Sequence, residues 1–160
     1  MPIAIDRPAE AFVGVGLLVL AADSQLSDEE AATVFDSMMS LEIFEGDAGH
    51  AARRFLGRMM EVSRSYLELN QGDLPKGALA FEPAVVDDVT TAVAAGLDPP
   101  LRETALTWAI DLAFTDGFHE RERAMIDRLA RELDVDRRVI DRAIAAAKGK
   151  AEASQTSEVY

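Results

Sequence analysis

Asp23, Asp28, Glu29 and Glu30 fall within eight positions, with no Lys or Arg among them. A second acidic group, Asp116, His119, Glu120 and Glu122, contains Arg121 as well, and Asp116 follows Asp23 by 93 positions. Like charges about 4 Å apart repel by roughly 1 kcal/mol in water, and by more once desolvated. A divalent cation relieves that repulsion, and carboxylate oxygens suit Ca²⁺ or Mg²⁺. With His119 as an added nitrogen ligand, Mn²⁺ or Zn²⁺ also becomes a candidate. The chemistry on offer is therefore cation binding. A purely structural use competes with it, because acids in the first turn of a helix complement its dipole by about 0.3–1 kcal/mol each.

Familiar site patterns do not fit. Counted from Asp23, an EF-hand loop would place Gln25, Ser27, Asp28 and Val34 at positions 3, 5, 6 and 12. Counted from Asp116, the same positions fall on Phe118, Glu120, Arg121 and Asp127. Such a loop needs oxygen ligands, then Gly, then a closing Glu, so neither turn wraps an ion alone. Any ligands must converge from different helices. Asp47-x-x-His50 and Asp116-x-x-His119 resemble the Glu-x-x-His pairs of di-iron bundles. Both lie at helix ends, where the inward geometry is missing. Val13-Gly14-Val15-Gly16 lacks a third glycine, since Val19 stands there, so it is no dinucleotide fingerprint. No phosphate-binding Gly-Lys-Ser/Thr loop, His-Asp dipeptide or Gly-x-Ser-x-Gly elbow occurs. With no nucleophile–base pair to offer, the chain is not expected to be an enzyme.

The elements that must position these groups read as helical throughout. Glu10 to Ala22 is apolar almost all round, which predicts a helix buried among others. Ser27-x-x-Glu30 fits a capping box, worth about 1 kcal/mol, ahead of a helix carrying Ala31, Val34, Phe35, Met38 and Leu41 on one face. Asp47 opens a longer helix with the stripe Ala52, Phe55, Met59, Val62, Tyr66 and Leu69, its arginines off that stripe. Gly72, Pro75 and Gly77 mark a linker over 70–83, from which Leu79 and Phe81 pack back on the core. A weaker helix then runs from Pro83 to Gly96, and Asp98-Pro99-Pro100 starts the next, with Trp108. Glu120 to Leu133 and a last helix capped by Asp136 complete the pattern.

The expected fold is all-α, about seven helices in two pseudo-symmetric halves, 10–70 and 83–148, of one domain spanning 1–148. Residues 149–160 are expected to form a flexible tail. Asp111, set in an apolar run, calls for an arginine or free backbone amides. The arginines of the last two helices alternate with acids, the pattern of a salt-bridged, solvated face.

Net charge is −13, and residues 1–50 alone contribute −9. That field repels phosphate backbones and disfavours nucleic acid. Cations, or a basic protein partner, are better suited. Cysteine is absent, which removes disulfides and thiolate ligands. The apolar stretch 11–22 is too short to span a bilayer and lacks a basic flank, so no transmembrane segment or secretory signal is expected. The expected location is cytoplasmic, with peripheral membrane association left open.

The stretches Leu20-Ala21-Ala22-Asp23-Ser24-Gln25-Leu26-Ser27-Asp28-Glu29-Glu30 and Thr115-Asp116-Gly117-Phe118-His119-Glu120-Arg121-Glu122 resemble the tellurite-resistance TerB-like family. The helix Arg123 to Val135 looks like that family's continuation, and the likeness covers roughly residues 10–145. The family's turn is Ala-Asp-Gly, a short link and a helix-opening Glu. Here Ser24 replaces the first glycine, and Glu122 follows Asp116 by six positions where Glu30 follows Asp23 by seven. One of the two turns is therefore reshaped. The resemblance implies a helical stress-response protein, metal-associated or an adaptor near membranes, without settled catalysis. By transfer it implies Asp23, Glu30, Asp116 and Glu122 as functional positions. Two readings result: a protein that binds or senses a divalent cation through paired acidic turns, or a metal-free interaction module with an acidic docking face.

Overall fold

A computed structural model describes residues 5, 8–22, 44–69, 80–114 and 120–158, with side chains of the last stretch described as far as Lys150. Six helices are formed there: α1 (Pro8–Ala21), α2 (Asp47–Leu69), α3 (Pro83–Gly96), α4 (Pro99–Phe114), α5 (Glu120–Glu132) and α6 (Arg137–Glu158). The architecture is all-α, with no strand among the described residues. The helix expected over 27–41, its capping box, and most of the linker lie outside the described residues.

α1 is the hub. Every residue from Ala9 to Leu20 is buried, and α2, α3, α4 and α5 all pack against it. A helix apolar on every side has no solvated face to offer, so it can only sit at the centre. Gly14 makes one of these contacts close. A Cβ there would lie 3.2 Å from Val93 Cγ2 and 3.3 Å from Val89 Cγ1. Phe12 packs its ring on Phe44 and Trp108, with centroids 6.2 and 5.9 Å away, tying α1 to the turn before α2 and to α4.

Most helix starts fall where composition places them. α2 opens at Asp47, and prolines open α3 and α4, where the missing N–H costs nothing. Asp136 caps α6, its Oδ1 accepting from the Arg138 N–H at 2.8 Å. α5 ends in a Schellman turn: the Val135 N–H donates to Ala130 O and the Asp134 N–H to Arg131 O. Asp134 occupies the left-handed position, with φ of 54°, that glycine usually takes.

Three expectations shift. Leu69, the last member of the α2 stripe, is 85% exposed, because the helix outruns the core it packs on. α6 continues through Gly149 to Glu158, beyond the point where its apolar pattern stops. Asp111 is half-buried rather than enclosed, so water can solvate it without an arginine. Phe81 packs into the core as expected, and the Ala80 N–H before it donates to the buried Ser63 Oγ at 3.0 Å. Leu79 lies outside the described residues.

Candidate cation site at one end of the bundle

Helix directions decide which turns come together. Arg58 meets Glu10 near the start of α1, and Tyr66 shares a cleft with Ala21 and Ala22 at its end, so α2 runs with α1. Gly14 faces Val89 and Val93, whereas Leu18 shares its cleft with Val86, so α3 runs against α1. Arg128 pairs with Asp87, and Arg102 ties the far ends of α3 and α5 together, so α5 runs with α3. Arg102 belongs to the first turn of α4 yet reaches the carbonyl of Leu133, which makes α4 antiparallel to α5. α1 and α4 therefore both finish at the end of the bundle where α5 begins.

That end is where the acidic turns attach. Asp23 follows Ala22 directly, and Asp116 lies in the five residues between Phe114 and Glu120. Two acidic stretches far apart in sequence thus follow helices that finish at one end of the bundle. Among the five expected site residues, Glu122 is the one whose side chain is described. It lies in the first turn of α5 and is only 3% exposed. Asp23, Glu30, Asp116 and His119 lie outside the described residues. Glu120, two positions earlier, is exposed, so the helix turns one acid inward and one outward. The positive end of the α5 dipole supports a carboxylate at Glu122. Met125, one turn further, lines a cleft of about 210 Å³ with Leu18, Ala22, Tyr66 and Phe81. Among the described residues alone, no three His, Asp or Glu side chains converge as a metal site.

A second buried acid escaped the sequence reading. Glu10, in the first turn of α1, is 5% exposed and accepts from Arg58 Nη2 at 3.4 Å. The signal was present: an acid inside an otherwise apolar run, with arginines on a neighbouring helix. Arg102 was also missed. Its guanidinium donates to three main-chain carbonyls, those of Ala94 (2.7 Å), Leu97 (2.8 Å) and Leu133 (3.2 Å). A cation in the first turn of a helix opposes that helix's dipole, which was reason to look for partners elsewhere.

A family model described as Tellurite resistance protein TerB matches residues 9–145, from the second residue of α1 into α6. No curated protein and no solved structure gives a match.

Proposed function

We propose that this chain, which belongs to the TerB family of tellurite-resistance proteins, binds or senses a divalent cation through its paired acidic turns. The observation that carries the reading is the buried carboxylate of Glu122, at the end of the bundle where both turns attach. A carboxylate held away from water needs compensating positive charge or hydrogen bonds. Glu122 has an interaction of its own within the protein, and it is the further acids of the stretches that follow α1 and α4 whose charge a cation would neutralise there. Asp23, Glu30, Asp116 and Glu122 would supply oxygen, and His119 nitrogen. An all-oxygen set favours Ca²⁺ or Mg²⁺, while recruitment of His119 tilts the choice towards Zn²⁺ or Mn²⁺. The role is one of binding in the cytoplasm, not of catalysis, since the sequence holds no nucleophile–base pair.

Thermal unfolding, followed by Trp108 fluorescence, tests this with each of Ca²⁺, Mg²⁺, Mn²⁺ and Zn²⁺. An ion at 100 times its dissociation constant adds about 2.7 kcal/mol, or roughly 5–10 °C for a chain of this size. The shift should be selective and should vanish in Asp23→Asn/Asp116→Asn. No shift with any ion would overturn the reading and leave the acids as helix caps. The −9 charge of residues 1–50 would then favour the second reading, a metal-free module docking a basic partner.

A further inference from the structure

We propose that the cleft between the end of α5 and the start of α6 binds a small zwitterion, an α-amino acid with an aliphatic side chain. α6 packs chiefly on α4, and α5 on α1, α4 and α3, so little of either helix packs on the other. The space left between them is about 410 Å³, within the range of about 300–1,000 Å³ of small-molecule sites. Its lining runs from Asp127, midway along α5, to Arg137 and Ile140 of α6.

The alternation of acids and arginines along these two helices predicted a salt-bridged face. Arg123 follows that pattern, holding Asp127 at 3.3 Å and Asp141 at 3.4 Å, and Arg128 pairs with Asp87. Arg131 and Arg137 depart from it. They line the cleft, one from each helix, and among the described residues neither guanidinium has an ion pair. Such planar forks match the geometry of a carboxylate.

Asp134 lines the same cleft, in the turn between the two helices. Its backbone holds the left-handed φ of 54°, a position glycine takes without steric cost. Among the described residues its carboxylate has neither an ion pair nor a hydrogen bond, so the strain is not offset by any contact of that side chain within the protein. Asp127 is already held by Arg123, which leaves Asp134 as the acid that can receive an ammonium group. A bare anion would meet Asp134 as a like charge, and a bare cation would meet two arginines. A zwitterion answers all three. Ala130, Val135 and Ile140 supply the apolar part of the lining, where an aliphatic side chain would rest.

Isothermal titration calorimetry of the full chain with L-leucine provides the test. Isocaproate, which lacks the ammonium group, and isoamylamine, which lacks the carboxylate, serve as comparisons that need no variant. L-leucine should bind saturably, and each analogue about tenfold more weakly or worse, the loss of one charged contact. Arg131→Gln/Arg137→Gln and Asp134→Asn should each weaken L-leucine by a similar factor, about tenfold, with unfolding midpoints close to that of the wild type. Asn keeps the left-handed conformation accessible, so the second variant removes the charge and leaves the turn. The absence of saturable L-leucine binding up to about 10 mM overturns the proposal. So does isocaproate binding as tightly as L-leucine, which would make the cleft a plain anion site. L-leucine affinity undiminished in either variant overturns it as well. None of these outcomes depends on whether the acidic turns hold a cation.

Discussion

Arg102 and Glu122 stand at opposite ends of the bundle, and each answers the helix ends around it with the charge those ends favour. At one end, the carbonyls closing α3 and α5 carry partial negative charge, and the guanidinium of Arg102 takes up three of them. At the other, the free amides opening α5 carry partial positive charge, and the carboxylate of Glu122 is buried beside them. The same dipole logic serves both, yet the surroundings differ. Arg102 meets main-chain oxygens and holds three helices in place. Glu122 is buried at the end of the bundle where the chain leaves α1 towards Asp23 and α4 towards Asp116.

The largest expected effect tests the Arg102 end. Arg102→Ala removes a charged donor from three carbonyls and should cost about 2–4 kcal/mol in denaturant unfolding. Arg102→Lys should recover only part of this, because an ammonium lacks the planar fork that spans several acceptors. A loss below about 0.5 kcal/mol would show that water replaces the clamp and that this end is not held by it.

Next comes Glu122→Gln, which sharpens the contrast by separating stability from ligand response. It should abolish the ion-induced gain of about 2.7 kcal/mol expected at 100 times the dissociation constant. An undiminished gain in this variant would remove Glu122 from the site.

A smaller effect belongs to Glu10, the other buried acid, which already has Arg58 within ion-pair distance. The Arg58 side chain is 62% exposed, so Glu10→Gln should cost only about 1 kcal/mol and leave any ion response intact. If Glu10→Gln alters the ion response as strongly as Glu122→Gln does, the distinction between the two acids collapses.

The smallest change should be a gain. Asp134→Gly, at the left-handed position closing α5, should stabilise by about 0.5–1 kcal/mol, measured as a rise in unfolding midpoint. A loss would mean that the Asp134 side chain contributes more at the Arg102 end than its backbone strain costs.

Local signals were legible wherever the physics is local. The prolines opening α3 and α4, the cap at Asp136 and the all-apolar run of α1 each follow from one helix turn or one helix surface. The acids that open α5, Glu120 and Glu122, were legible for the same reason. Arg102 and Glu10 were not, because their partners lie on other helices and at sequence separations no short pattern spans. The α2 stripe was overextended to Leu69 because periodicity marks which face is apolar, not how far the core reaches along it.

Amino-acid order alone determined that the chain is helical, that the α1 run must be central, and that acidic residues cluster in two stretches of the sequence. Those properties rest on interactions between residues a few positions apart. Only the tertiary structure decided that α1 and α4 finish at the same end, that Glu122 is buried there and that Arg102 reaches the carbonyls closing α3 and α5. Each of these depends on the relative direction of helices joined by intervening chain. That direction is set by which faces exclude water together, a sum over the whole core that no local stretch of sequence contains.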